Sequence, residues 1–273
     1  MNARRVYLVF RKDWCEVRRN PHIMLPIVLV PVAFSTIFPF IIGSVQRLAL
    51  SAVQTQGLEA LIRSMPEQLR GELSRMTAQQ VIFYVLSVYF YAPLFLMIPV
   101  MVSSVIASDS FAGEKERKTI EALLATPLLD SELFLGKVLV SLVPSMMATL
   151  GSFLVYSATV NFVSTQVLNG APLLPNFVWA VLVFGFAPVM AAACIGLTVT
   201  VSAWVKGFRE AQQVSVLLVF PVVGLMFGQL LGMFVLEPRL VGALTGLFAL
   251  FDLLIFYYGI ATFNRETILS RHG

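Results

Sequence analysis

VLVSLVPSMMATLGSFLVYSATVN (residues 138–161) and PNFVWAVLVFGFAPVMAAACIGLTVTVSAWV (residues 175–205) decide the fold. With the thirteen residues between them they form a run that contains no Asp, Glu, Lys or Arg. A helix needs about 20 apolar residues to cross a hydrocarbon layer of about 30 Å. The run therefore holds two crossings, and Asn161, Asn169, Gly170, Pro172, Pro175 and Asn176 mark the turn between them. Working outward, residues 20–46, 76–108 and 211–236 are also free of charge, and 240–264 is broken only by Asp252. Six spans are predicted, at 22–45, 81–107, 138–161, 175–203, 213–235 and 241–263.

Composition agrees. The 273 residues are 58% apolar and 12% charged, and mean hydropathy is +0.84. A soluble domain averages about 45–50% apolar and about 25% charged. This chain cannot cover a water-facing surface, which excludes a soluble domain, a disordered chain and a nucleic-acid binder. The net charge of +4 and the pI of 9.2 then describe loops rather than a binding face. Cys15 and Cys194 are the only cysteines and His22 and His272 the only histidines, so no disulfide framework and no Cys/His metal site is expected. The reading is an all-α membrane protein, one transmembrane domain over residues 1–273.

Six spans put both termini on one side. The segments on that side, 1–21, 108–137, 204–212 and 264–273, carry fourteen Lys and Arg, against five (Arg47, Arg63, Arg70, Arg75 and Arg239) on the other. Positive charge is retained inside. Both termini are thus expected in the cytoplasm, with the chain multi-pass in the plasma (inner) membrane. Val6, Phe10, Trp14 and Val17 recur at helical spacing among basic residues, which predicts an amphipathic interfacial helix over 1–21. The outer segment 46–80 reads as a helical hairpin, with Ser64 and Glu67 at capping-box spacing around Pro66. Pro26, Pro31, Pro39, Pro93, Pro99, Pro144, Pro188 and Pro221 lie inside spans, as fixed kinks or as hinges. Gly224, Gly228 and Gly232 make a small-xxx-small face for intrachain packing or for a dimer seam.

The segment 108–137, between spans two and three, holds six of the fifteen acidic residues: Asp109, Glu114, Glu116, Glu121, Asp130 and Glu132. Helix starters at 108–110 and Pro127 bound a predicted helix, with Glu114–Lys118 and Arg117–Glu121 as i,i+4 pairs worth about 0.3–0.5 kcal/mol each. Asp130 or Ser131 would cap a second helix running through Lys137 into span three. A short charged helix at the membrane surface suits docking to a soluble partner. A solvated loop with ion pairs fits the residues equally well.

The run Glu114-Lys115-Glu116-Arg117-Lys118-Thr119-Ile120-Glu121, followed by Leu123-Leu124, Thr126-Pro127-Leu128, Glu132 and Gly136-Lys137, resembles the signature of ABC-2 type transporter permeases. Lys206, Glu210 and Ala211, and Phe263 to Leu269, are weaker echoes of the same family. The resemblance implies an ABC-2 exporter fold in which 114–127 couples to an ATP-binding subunit. It further implies two permease copies, identical or related, with two ATPase subunits that bind ATP and Mg, and no cofactor in this chain. Glu114, Glu116, Arg117 and Glu121 would contact the ATPase, and Thr119 and Ile120 would seat the helix. Two departures stand out: Lys118 occupies a position where family members often have Gly, and the connection around Glu237-Pro238-Arg239 is short where they commonly carry a re-entrant hairpin.

Gly136-Lys137 lacks the glycine spacing of a P-loop, so ATP must be bound by another chain if it drives this one. Ion-coupled carriers hold several ionisable groups at mid-membrane, and here Asp252 alone is the candidate intramembrane functional residue. A secondary carrier or oligomeric channel is therefore the runner-up, and a membrane enzyme a distant third. Sparse charge in the spans favours an apolar or amphiphilic cargo.

Overall fold

The computed structural model describes residues 2–49, 70–71, 73–117, 119, 128–168, 170, 172–202, 204–205, 207–231 and 233–262, apart from the side chains at 45–49, 130, 216 and 258–262. Those residues contain no strand. The helices are α1 (Ala3–Arg19), α2 (Pro21–Ala49), α3 (Ala78–Glu116), α4 (Asp130–Val167), α5 (Phe177–Ser202), α6 (Phe208–Leu230) and α7 (Pro238–Thr262). Helices α2 to α7 are each long and apolar enough to span a bilayer. The predicted hairpin at 46–80 lies largely outside the described residues, as do the capping pair Ser64–Glu67 and the tail after Thr262.

Two boundaries differ from expectation. No new helix starts at 108–110: α3 continues through a π-turn at Asp109–Gly113 and ends after Glu116. The side chain of Ser110 donates to Asp13 of α1 and that of Asp109 accepts from Arg117 beyond the end of α3, so neither caps a helix start. At the other end α3 starts at Ala78, where Thr77 and Gln80 form a capping box and Gln80 Nε2 donates to the Val167 carbonyl at the end of α4. Helix α4 runs past Asn161 to Val167. Asn161 braces the turn from within the helix, with Oδ1 accepting from the N–H groups of Leu173 and Leu174.

Helices α2 to α5 surround an aromatic core of Phe38, Tyr91, Phe95, Phe153, Tyr156 and Trp179. Tyr91 stacks on Tyr156 at 4.2 Å between centroids, and Tyr156 on Trp179 at 5.1 Å. Such pairs add about 0.5–1.5 kcal/mol each beyond area burial. The core also compensates a backbone defect. Pro93 gives no N–H, and the turn before it, Leu86–Phe90, is π-helical. Tyr156 Oη donates to the Ser87 carbonyl at 2.7 Å and Trp179 Nε1 to the Val88 carbonyl at 2.9 Å. At this proline the bend is braced rather than free.

Helix α6 ends at Leu230 and α7 starts at Pro238, and among the described residues between them there is no helix. Of the predicted glycine row, a Cβ on Gly224 would meet nothing within 4 Å, Gly228 lies against Phe234, and Gly232 is outside the described residues.

Candidate functional site

The chemistry collects where α1 crosses the ends of α3 and α4. Helix α1 has Asn2 as its N-cap, accepting from the Arg4 N–H, and buries Val6, Val9, Asp13 and Val17. Of the stripe expected there, Val6 and Val17 are buried and Phe10 and Trp14 only partly so; the buried row runs instead through Val9 and a carboxylate, Asp13. Asp13 stands four residues from both Val9 and Val17, and a charge at that register was the sequence signal for a buried ion pair.

The partner is Lys137, only 1% exposed. Its Nζ lies 2.5 Å from Glu114 Oε2 and 3.6 Å from Asp13 Oδ2, and it donates to the Ser110 carbonyl. Ser110 Oγ donates to Asp13 Oδ2 at 3.0 Å. Lys12 closes the cluster from outside, with Nζ 2.5 Å from Glu114 Oε1, 3.1 Å from Asp13 Oδ1 and 3.6 Å from Glu16 Oε2. Burial pulls the Lys12 ammonium down in pKa, but the hydrogen bond to Glu114 and the charges of Asp13 and Glu114 outweigh it and raise it above its ordinary value. Arg117 reaches Asp109 Oδ1 at 2.8 Å and Glu16 Oε1 at 3.4 Å. Burial opposes its charge too, and Asp109 with Glu16 and Glu114 more than restores it.

Oxygens of Asp13, Glu16 and Glu114 lie within 4.8 Å of one another, a spacing that suits a metal ion. The Lys12 ammonium contacts all three carboxylates, so the chain supplies its own cation there. One turn away, Glu132 Oε1 accepts from the Asn2 N–H at 2.6 Å, Glu132 Oε2 accepts from the Leu129 N–H at 3.3 Å, and Arg5 lies 3.6 Å off. Gly136 allows the crossing itself: a Cβ there would sit 2.7 Å from Val9 Cβ and 3.2 Å from the Val6 carbonyl oxygen.

The expected coupling residues are placed as follows. Glu114 is 2% exposed and held between Lys12 and Lys137. Neither it nor Arg117 needs an i,i+4 partner, because both pair with other elements. Glu116 is exposed, and its Oε2 accepts from the Phe208 N–H at 3.0 Å, capping the start of α6. Lys115 Nζ donates to the Val205 carbonyl beside it. Thr119 ends α3, its N–H and Oγ1 both donating to the Glu114 carbonyl at 3.0 and 3.2 Å. Ile120 and Glu121, with Lys118 and 122–127, lie outside the described residues. The sequence reading missed Lys12, Asp13 and Lys137.

Asp252 lies on α7, far along the chain from this cluster. It is 8% exposed, on the helix face that sets Phe248 against Phe186 and Ile255 against Gly196 of α5. Its Oδ1 has no hydrogen-bond partner among the described residues. Of the hydroxyls and amides on the last two spans that could meet it, Thr245 Oγ1 donates to the Val241 carbonyl, Tyr257 is exposed, and Gln229 Oε1 also has no hydrogen-bond partner among the described residues.

Six apolar helices with charge gathered at one end define a multi-pass membrane protein. The sequence profile of the family described as ABC-2 family transporter protein matches residues 7–263. The chain belongs to that family, whose members are the membrane components of ABC transporters rather than catalysts themselves. No curated protein matches the sequence.

Proposed function

We propose that this chain is the permease subunit of an ABC exporter in the inner (plasma) membrane, with both termini cytoplasmic. It moves an apolar or amphiphilic cargo, driven by ATP and Mg bound to a separate ATPase. Two permease copies, identical or related, would stand on two ATPase subunits. The observation that carries this reading is the bracing of Glu114–Arg117, the start of the family-like segment, by α1, α4 and α6 at once. A force applied to that segment would reach α1 and two further spans, which is what a coupling element requires. The fourteen-to-five distribution of Lys and Arg supports a cytoplasmic position for it.

In this arrangement Arg117, Glu116 and Glu121 face the ATPase, Thr119 and Ile120 seat the segment, and Glu114 supports it from within. Co-purification of the tagged ATPase and ATP-dependent transport in vesicles test the assignment. Arg117→Glu with Glu121→Lys should reduce both while membrane insertion is unchanged. Wild-type recovery and transport in that double variant would sink it. Transport that follows a proton gradient without ATP would favour the carrier reading, with Asp252 as its ionisable group.

A further inference from the structure

Beside the ion-paired latch formed by Lys12, Asp13, Glu114 and Lys137, α1 and α4 enclose an apolar groove of about 470 Å³, lined by Val6, Tyr7 and Phe10 from α1 and Leu135, Leu139 and Val143 from α4. That volume is within the range of ligand pockets, about 300–1,000 Å³. Its α4 wall follows one helix face for eight residues, about 12 Å along the axis. The lining ends at Val143, but the helix face does not. The same face continues through Met147 and Leu154, which are 63% and 68% exposed, onto the outer surface of the span. One end of the groove thus opens where acyl chains lie, and the other reaches α1.

The α1 edge of the groove is cationic. At about 100° per residue, Arg4, Arg11 and Arg18 fall within about 40° of one another, just beyond Tyr7 on the side away from the buried stripe. All three are exposed, and no described carboxylate lies within ion-pair distance of them. Both acidic residues of α1 are committed elsewhere, Asp13 to Lys137 and Glu16 to Lys12 and Arg117. The groove therefore combines an apolar slot open to the bilayer with guanidinium groups at its mouth that are unpaired among the described residues.

We infer that this groove binds one anionic phospholipid of the inner leaflet, its phosphate on Arg4 and Arg11 and an acyl chain along Leu135, Leu139 and Val143. The inference rests on the reading that α1 lies at the cytoplasmic membrane surface. Bound lipid would wedge α1 against α4 on the side opposite its ionic contacts.

The test uses the full chain reconstituted in phosphatidylcholine vesicles that contain a trace of photoreactive-acyl phosphatidylglycerol or photoreactive-acyl phosphatidylcholine, with adducts mapped by mass spectrometry. Adducts on the peptide covering 135–143 should favour phosphatidylglycerol by roughly thirtyfold, as two arginines at a membrane surface would give. Arg4→Gln with Arg11→Gln should remove the preference. Val143→Trp, which fills the groove, should remove the adducts, and Leu154→Trp, outside it, should not. Equal labelling by both lipids, or a preference unchanged in the arginine variant, overturns the proposal while leaving α1 at the membrane. No labelling of α1 or 135–143 by either lipid overturns the surface reading as well. Crosslinks from the groove to a second copy or to the ATPase in place of lipid also overturn the proposal.

Discussion

At Lys137 an ammonium group sits inside protein, and its neighbours Glu114 and Asp13 are nearly as enclosed. Removing one partner of such a set leaves a buried charge uncompensated and costs about 3–5 kcal/mol, whereas removing both is far milder. Lys137→Met should therefore lower the thermal unfolding temperature in detergent sharply, and adding Glu114→Gln should recover part of the loss. Additive losses in the double variant would show that the two do not act as a pair. Asp252 is the opposite case, a buried carboxyl with an unsatisfied oxygen. Such a group costs about 1–3 kcal/mol. Asp252→Leu should raise thermal stability and reduce transport, the pattern of a residue kept for function at the expense of stability. A fall in stability would mean that the carboxyl has a structural partner.

Among elements, α1 is held to α4 by ions on one side and by close backbone approach at Gly136 on the other. Gly136→Leu should displace α1, break its ion pairs with α3 and reduce transport, although Gly136 touches neither cargo nor ATPase. Protection of α1 from limited proteolysis in native membranes reports this directly, and protection equal to wild type would contradict it. The spans and the amphipathic character of α1 were legible in the sequence because each rests on local periodicity and the absence of charge. The latch was not. Its members come from residues 12–16, 109–117 and 137, and their pairing follows from helix crossing, which no local pattern encodes. Glu114 illustrates the error: beside Lys118 it reads as half of a surface pair, yet the crossing of α1 buries it. The π-turn at Leu86–Phe90 escaped for the same reason, since the donors that satisfy it, Tyr156 and Trp179, are supplied by α4 and α5.

For the whole molecule, the lack of a P-loop in 273 residues sets a sharp expectation. The purified chain should neither bind nor hydrolyse ATP, and turnover should appear only when a separate ATPase subunit is added. Hydrolysis by the isolated chain that disappears on a substitution within it would refute this. The bracing at Glu114–Arg117 adds a second consequence at this scale. Because α1, α3, α4 and α6 meet there, ATPase binding should protect backbone amides of all four from hydrogen exchange, not those of α3 alone.

The contact between Asn2 and Glu132 joins residues 130 apart in sequence. During synthesis α1 leaves the ribosome before α3 and α4, and although Ser110, Glu114 and Arg117 of the α3 end come next, its contacts with Glu132, Gly136 and Lys137 cannot form until α4 has been made. Until then Asp13 and Glu114 lack the enclosed ammonium group of Lys137. Closing so long a loop is the late and slow step of assembly. The latch is thus also a completion mark: a chain arrested before α4 holds two carboxylates whose shared ammonium has not yet been made.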